Sequence, residues 1–393
     1  MLSDSTITYG NEIGRAYRGL DRLYRHSNPH DPWGIVVLDL GDSSDVCEFG
    51  NLREVHSAFS DLRRRASTLP EPDRRIYYAD LTTSALTLVE WLRDEAATGL
   101  VRQISGFLRA EALRAPQREL SHLEAALHDS LMAEGFHGDL RTAATAWEAR
   151  HRVEPDDLHD ETATLIDEAT ERTSRVLTTE LPPKPAIELL DDAPFNARCD
   201  YARNVIEINR SPTISRPYLK RLVMHEVVPG HCLQFHTRAR AYEEGWGGSD
   251  ALLSTVKCAA SPTFEGLADS GGWLLGWTGP EDVTASLIYR YQTGLCTVAA
   301  WGLHSEGWTH ERAHEYLAER ILVGGSGWIS HRLAYIGARG RGAHIWSYWL
   351  GESCLRHALR DVGPDLSDAT FGTLYGRLHS LASLDATDWR HRA

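Results

Sequence analysis

Apolar residues recur at three- and four-residue spacing through the N-terminal half of the chain, and this feature constrains the fold most strongly. The spacing predicts helices over the segments 11–26, 51–68, 76–96, 99–113, 117–133, 138–151 and 157–180. The last segment begins with acidic residues, which suit the positive end of a helix dipole. We therefore expect a mainly α fold.

The segment LPPKP at 181–185 ends this pattern, because proline lacks a backbone donor and clashes with the preceding turn. It predicts an N-terminal helical half, 1–180, and a second half, 181–393. AIELL at 186–190 and NVIEINR at 204–210 predict two short strands that form a hairpin or ladder. Helices resume at 215, with Pro280 at the start of one helix and Thr309 as the N-cap of another.

Charge and composition exclude several classes of partner. The net charge is −14 and no basic run is present, so a nucleic-acid partner is not expected. The longest apolar stretch, LIYRYQTGLCTVAAWGL, contains Arg290 and Gln292 and predicts a buried helix instead of a membrane span. The N-terminus lacks the regions of a signal peptide, so we expect a cytoplasmic protein without a membrane partner. The widely spread cysteines are expected to be free thiols, and the oligomeric state is open.

The segment HEVVPGH, residues 225–231, carries a His-Glu pair and a second histidine. In the common zinc motif H-E-x-x-H the histidines lie about 40° apart around a helix and ~6 Å apart along it, so both reach one ion. Six residues of spacing separate them by about 240° and ~9 Å, which an unbroken helix cannot join. Pro229 and Gly230 therefore predict a break that returns His231 to the face of His225.

A zinc site with an open position for water needs a third protein ligand. The strongest candidate is Glu265 in SPTFEGLADSGG, near the start of a helix that follows Pro262. His225, His231 and Glu265 are thus the predicted ligands of one Zn²⁺. A set of two histidines and one carboxylate also suits Fe²⁺, so the spacing leaves the metal open. A chance pairing in a chain with 19 histidines is the competing interpretation.

HEVVPGHCLQ and FEGLAD resemble the motifs H-E-x-x-P-G-H-x-x-Q and E-G-W-A of the bacterial family called domain of unknown function 885, whose members are regarded as zinc metallopeptidases. NVIEINR, GLHSEGWTHERAHEYL at 302–317 and HIWSYWLG at 344–351 resemble further segments of that family. The resemblance covers roughly residues 181–385. It is weak before them.

The resemblance implies an all-helical metallopeptidase-like fold, similar to the neurolysin, angiotensin-converting-enzyme and Taq-carboxypeptidase group. In that group a central cleft separates two helical halves, and a short ladder beside the metal pairs with the substrate backbone. The strands within 186–210 are then either a surface for strand addition or a purely structural hairpin.

The chain departs from the family pattern at positions near the motifs. Leu267, Ser270 and Gly272 stand where the family tends to have Trp, Tyr and a second Glu, and Ala300 stands where it has Asp. The metal ligands are kept while expected pocket residues change. This combination indicates retained chemistry on a different substrate.

The residue types predict a hydrolytic mechanism. The ion would lower the pKa of a water molecule and polarise a carbonyl group. Glu226 is the predicted general base. The resemblance to helical zinc peptidases implies that Tyr348 donates to the oxyanion, and packing with Trp346 and Trp349 is the other interpretation.

Three further residues are candidates for substrate binding. His304 and His344 would bind substrate or orient a ligand, against an alternative role in the core or at the surface. Arg341, beside Arg339, would clamp a substrate carboxylate.

The expected function is metal-dependent hydrolysis of an amide or peptide bond in a peptide or small amino-acid-derived substrate. The alternatives are a metal-dependent, non-hydrolytic enzyme of specialised metabolism that acts on a small metabolite, and a binding protein without activity. Retention of Glu226 argues against the last, because metal binding alone does not require it.

Overall fold

The computed structural model describes residues 2–31, 34–95, 97–193, 195–364 and 366–389. Helices dominate these residues and two small sheets accompany them, which confirms the predicted mainly α fold with small β elements. The helices are α1 Asp4–Ser27, α2 Leu52–Ala66, α3 Pro72–Arg93, α4 Leu100–Phe107, α5 Gln117–Ala133, α6 Leu140–His151, α7 Leu158–Val176, α8 Arg216–Glu226, α9 His231–Glu243, α10 Ser261–Asp269, α11 Gly271–Leu274, α12 Pro280–Ser305, α13 His310–Arg320, α14 Gly325–Gly337, α15 Ile345–Ala358, α16 Asp368–Tyr375 and α17 Leu381–Asp385. The strands are β1 Val36–Asp39, β2 Ala186–Leu190, β3 Ala197–Asp200, β4 Val205–Asn209 and β5 Leu253–Thr255, and short 3₁₀ turns cover Ser249–Leu252 and Gly342–His344.

The predicted helices agree closely with the observed ones. The segment 117–133 coincides with α5, and 51–68 and 157–180 overlap α2 and α7. The segment 99–113 was predicted too long, because Arg109 has a left-handed backbone with φ of 54° just after α4 ends. Thr309 caps α13 as predicted, since its side chain accepts a hydrogen bond from the backbone N–H of Arg312 at 3.1 Å.

The chain groups by contact into two compact units that are discontinuous in sequence. Unit 1 is Met1–Ala112, Gln234–Gly266 and Ser353–Ala393, and unit 2 is Leu113–Leu233 and Leu267–Glu352. The boundaries fall inside α9, α10 and α15, so each of these helices belongs partly to both units. The division of the sequence at 181 and the central cleft stay predictions.

Unit 1 is built around α3, which packs against α2, α4 and α17. Ile13, Phe59 and Val89 are fully buried in its core. The strands β1 and β5 form an antiparallel two-stranded sheet in this unit.

Unit 2 is built around α12, which packs against α5, α8, α13 and α14. Leu127, Trp147 and Leu165 are buried to at least 98% in its core. The helix α8 also packs against α7 and against β3, so it runs between the helical core and the edge of a sheet.

The sheet of unit 2 has the strand order β2-β4-β3. Both predicted strands are present, but β2 pairs with β4 in parallel, from Ala186 with Val205 to Leu190 with Asn209. These two strands are therefore a ladder and not a hairpin. The hairpin partner of β4 is β3, an antiparallel edge strand within the segment that was predicted to be a connection.

Candidate metal centre

The predicted break in the HEVVPGH segment is confirmed. Helix α8 ends at Glu226 and α9 begins at His231, with a bend over 227–230 that contains a cis peptide bond before Pro229. A side chain at Gly230 would overlap the backbone carbonyl oxygens of His225 and Met224, so only glycine fits this close approach. The chain thereby turns tightly enough to start a new helix with His231.

The bend brings the two histidines together beside Glu265. The ring centroids of His225 and His231 are 4.5 Å apart and their planes meet edge to face. One ligand atom from each of His225, His231 and Glu265 lies within 4.8 Å of the others, and all three residues are buried. These are the residues that the sequence predicts as metal ligands.

Asp269 forms a hydrogen bond with His225, and it was not predicted from the sequence. Its Oδ1 accepts a hydrogen bond from Nδ1 of His225 at 2.6 Å and another from the Arg221 guanidinium at 2.5 Å. Because Nδ1 of His225 donates to Asp269, Nε2 is the nitrogen that would bind a metal. Burial lowers the pKa of Arg221 but Asp269 raises it, and the net effect is a raised pKa.

The carboxylate of Glu226 lies beside the ligand cluster and is held by a backbone group. Its Oε2 accepts a hydrogen bond from the backbone N–H of Cys199 in β3 at 2.8 Å, and its Oε1 lies 3.9 Å from Nε2 of His225. Glu226 is buried, with 7% of its surface exposed. The edge strand β3 thus fixes the residue that the sequence predicts as the general base.

An open pocket of about 550 Å³ in unit 2 contains both His225 and Glu226, and we call it the His225 pocket. Its walls include Ala197 of β3, Tyr218 of α8, Tyr289 of α12, Arg332 of α14 and Tyr348 of α15. Burial raises the pKa of Tyr289, so this hydroxyl stays protonated at neutral pH. The pocket therefore offers several hydroxyl donors and a guanidinium close to the candidate metal centre.

Tyr348 and His344 occupy neighbouring positions of different character. Tyr348 is half-buried, lines the His225 pocket, and its ring centroid is 6.5 Å from that of His225. His344 is buried and packs edge to face against Tyr348 with centroids 5.3 Å apart. His344 therefore packs against Tyr348 but does not itself line the described His225 pocket.

His304 and Arg341 lie apart from the His225 pocket in the part of the chain that the structure describes. The exposed His304 donates from Nε2 to the backbone carbonyl of Ile336 at 2.7 Å, which ties the end of α12 to the end of α14. Arg341 is half-buried and precedes the 3₁₀ turn Gly342–His344. Their predicted roles in substrate binding gain no geometric support.

The positions that depart from the family pattern are mostly in the core. Leu267 is 4% exposed, and Ser270 and Ala300 are completely buried. Among the described residues, none of the three lines the His225 pocket. These three side chains therefore pack in the core and not at the described wall of the pocket.

No family model matches the sequence, and no curated protein matches it. The fold is similar to the crystal structure of a candidate lipoprotein from Colwellia psychrerythraea, with a TM-score of 0.56 and 17% identity over 86% of this chain and 66% of that chain. A candidate lipoprotein of unknown function from Shewanella oneidensis gives a TM-score of 0.51 and 15% identity over 85% of this chain and 71% of that one. At these identities the likeness shows the fold alone.

One observation concerns membrane partners. Among the described residues, no helix combines the length and apolarity that a membrane crossing requires. The resemblance to domain of unknown function 885 and the cytoplasmic location stay predictions.

Proposed function

We propose that the protein is a metal-dependent hydrolase that cleaves an amide bond in a peptide or a small amino-acid-derived substrate. The observation that carries the proposal is the convergence of three buried donors, His225, His231 and Glu265, with a separate carboxylate, Glu226, beside them. A site that only stored or transported an ion would not need a second carboxylate held next to the three donors.

The donor set fits a divalent transition metal such as Zn²⁺. Two imidazole nitrogens and one carboxylate oxygen are a common three-residue set in catalytic zinc sites. Tetrahedral ligands at ~2.1 Å from one ion lie about 3.4 Å from each other, so the donors, which lie within 4.8 Å of one another, need to close by at most about 1.4 Å. The hydrogen bond from His225 to Asp269 supports this fit, because metal-bound histidines usually donate their other N–H to such a group.

The chemistry that such an ion supplies when bound is acidification of water and polarisation of a carbonyl oxygen. Glu226 takes a proton from the attacking water, whose oxygen bonds to the carbonyl carbon. The C–N bond breaks, and Glu226 delivers the same proton to the leaving nitrogen. The Cys199 N–H keeps the Glu226 carboxylate in place during both transfers.

Two groups of the His225 pocket would handle the substrate. The Tyr348 hydroxyl is the donor for negative charge on the carbonyl oxygen as it develops. The strand β3 has one edge paired with β4, and its Ala197 lines the pocket. An extended substrate would add to the other edge beside Ala197, because the Cys199 N–H of that edge is held by Glu226. This assigns strand addition to β3 and not to the two strands predicted from the sequence.

A second candidate is a metal-dependent enzyme of specialised metabolism with non-hydrolytic chemistry on a small metabolite. The donor set supports this candidate as well, because two histidines and a carboxylate also bind Fe²⁺ in oxygenases. The two candidates differ in what they require of Glu226, because only hydrolysis requires a general base beside the ion.

The test uses Glu226→Gln in the full chain, with a screen of peptides and acyl-amino acids as substrates. Gln keeps the size of the side chain and an oxygen for the Cys199 N–H. We expect this variant to keep the metal and the fold and to lose turnover by a factor of roughly 10² to 10⁴. Loss of metal would make Glu226 a ligand, and near-normal turnover would exclude hydrolysis through a Glu-activated water.

A further inference from the structure

A second, largely apolar pocket of unit 2 shares a wall with the His225 pocket. It has an open volume of about 680 Å³, and we call it the apolar pocket. Trp147, Ile288, Val323 and Trp328 are among the residues that line it. The shared wall consists of Tyr218, Tyr289 and Arg332. The two pockets therefore adjoin at these three side chains.

Arg332 is the charged residue of that wall. It lies on α14, is half-buried, and its guanidinium carbon is 5.6 Å from the centroid of the Trp328 ring. Within the described ranges, no carboxylate forms an ion pair with it. The other arginine of the His225 pocket, Arg221, is paired with Asp269 at 2.5 Å. Arg332 is thus the cation of the pocket whose charge is left for a ligand.

The only acidic neighbour in the apolar pocket, among the residues described, does not fill this role. Glu148 lines the pocket, but a hydrogen bond from the backbone of Gly324 acts on its carboxyl group. Burial raises the pKa of Glu148, and the cation that acts on its carboxyl group is Arg152 and not Arg332. A partly desolvated guanidinium without a counter-ion is unfavourable, so binding an anion there is favoured.

We infer that Arg332 binds a free carboxylate of the substrate and that the apolar pocket receives the adjacent side chain. One guanidinium donates two parallel N–H groups, which match the two oxygens of one carboxylate. The substrate is then an apolar amino acid with a free carboxylate, whose nitrogen is joined to an acyl group. Such a molecule is the C-terminal end of a peptide or an N-acyl amino acid.

This inference rests on the proposed function for the bond that is cleaved, but the binding it describes is measured separately. Hydrolysis would add water across the C–N bond and release the apolar amino acid and the acyl group as a carboxylic acid. The carboxylate at Arg332 is untouched by this step. It serves to set which amide bond lies beside Glu226.

The experiment is a calorimetric titration of the metal-loaded Glu226→Gln protein, in which turnover is suppressed. The probes are N-acetyl-L-phenylalanine, its carboxamide, and N-acetylglycine. The expected order is that the phenylalanine acid binds about tenfold or more tightly than its amide, because only the acid pairs with Arg332. N-acetylglycine keeps the carboxylate but lacks the side chain, and it should also bind more weakly.

Adding Arg332→Met in that background should weaken binding of N-acetyl-L-phenylalanine by about 30-fold or more. Binding of its carboxamide should be unchanged. Methionine keeps part of the apolar stem, and no buried partner loses its counter-charge, so the fold is retained. The matched control is Arg312→Met. Arg312 lies over the Trp308 ring at 4.5 Å in the same manner, but it is exposed and lines neither of the two pockets. Its replacement should leave binding of the acid unchanged.

The inference is overturned if the acid and the amide bind equally, if neither binds up to millimolar concentration, or if Arg332→Met changes nothing. Equal binding of N-acetylglycine and N-acetyl-L-phenylalanine removes the role of the apolar pocket. If the acid binds through Arg332 but the wild type turns over no substrate, the carboxylate site is supported and the hydrolase is excluded. If the wild type cleaves neutral and acidic substrates at equal rates, the hydrolase is supported and the carboxylate site is excluded.

Discussion

Replacing Asp269 with Asn tests whether a charged hydrogen bond holds the candidate ligand His225. The Asp269 side chain is only 1% exposed, and its Oδ1 accepts from both His225 and Arg221. Asparagine keeps the shape and an acceptor oxygen but removes the negative charge. The variant therefore isolates the contribution of charge from that of packing.

Two losses of different size are expected from this substitution. Groups that hold a metal-bound histidine typically contribute 10- to 100-fold to metal affinity, which is about 1.4 to 2.8 kcal/mol. The variant also removes the counter-charge of Arg221, whose side chain is 12% exposed and whose guanidinium lies 3.3 Å from the Tyr289 ring centroid. Breaking a buried ion pair costs about 3 to 5 kcal/mol, so we expect the free energy of unfolding to fall by about 3 kcal/mol.

The assay separates these losses by measuring them in different states. Metal affinity is measured by competition with a chelator at fixed pH, and unfolding is measured on the metal-free protein. The matched control is Asp282→Asn. Asp282 forms a buried ion pair with Lys220 in the same unit, with side chains 8% and 6% exposed, but the pair does not contact a candidate ligand. This control should lose comparable stability and keep its metal affinity.

Two results would refute the reasoning. If Asp269→Asn keeps wild-type metal affinity while it loses stability, Asp269 serves Arg221 alone and does not hold His225 for a metal. If the Asp282 variant loses as much metal affinity as the Asp269 variant, the loss arises from general destabilisation.

Three further predictions follow from other parts of the molecule. Gly230→Ala should abolish stoichiometric metal binding, because the added methyl group overlaps the backbone carbonyl of His225; retention of metal in elemental analysis would contradict the account of the bend. Burial raises the pKa of Asp250 from 3.8 to about 6. Protonated Asp250 therefore stabilises the fold fully below pH 3.8. This contribution to the free energy of unfolding falls by about 3 kcal/mol as the pH rises to about 6, at about 1.4 kcal/mol per pH unit. The difference in unfolding free energy between wild type and Asp250→Asn should change by most of this amount, about 2.4 kcal/mol, between pH 4 and 7, and a constant difference would contradict it. The thiols of Cys199 and Cys232 are in contact. Oxidised glutathione should therefore convert them to a disulfide with release of reduced glutathione, and mass spectrometry that finds no linked peptide in wild type would contradict this.

The helices were predictable because their signal is local. Apolar spacing alone marks α5 and α7, and the Thr309 cap is a property of four consecutive residues. The helix predicted over 99–113 is present but shorter, for a reason outside the segment. Arg109 bonds the Asp80 carboxylate at 2.9 Å, and this contact across 29 residues accompanies the left-handed backbone that follows α4.

The candidate ligands were predictable because the motif places chemistry and backbone freedom together. Gly230 and Pro229 lie between the two histidines, and their properties alone predict the bend. Asp269 was missed although it lies four residues after Glu265 on one helix, a spacing that puts two carboxyl groups on the same face. That spacing was the available signal for it.

Other parts of the site depend on contacts that the sequence does not display. The strand β3 holds Glu226, but the alternation of apolar and polar residues in ARCD is only four residues long and follows DDAPFN, whose Asp, Pro and Asn residues favour a turn. His304 was predicted to bind substrate, but its Nε2 donates to the backbone carbonyl of Ile336, 32 residues away. Arg332 was missed because an arginine becomes informative only when its lack of a carboxylate partner is known.

The most direct test of the account is the metal content of the full chain purified without added metal, compared with His231→Ala. Elemental analysis after dialysis should find about one divalent transition metal per chain in the wild type. The His231→Ala protein should hold none, with an unchanged circular dichroism spectrum, because one of three converging donors is gone while the helices remain. Full metal occupancy in the folded His231→Ala protein would contradict the metal centre on which the proposed function depends.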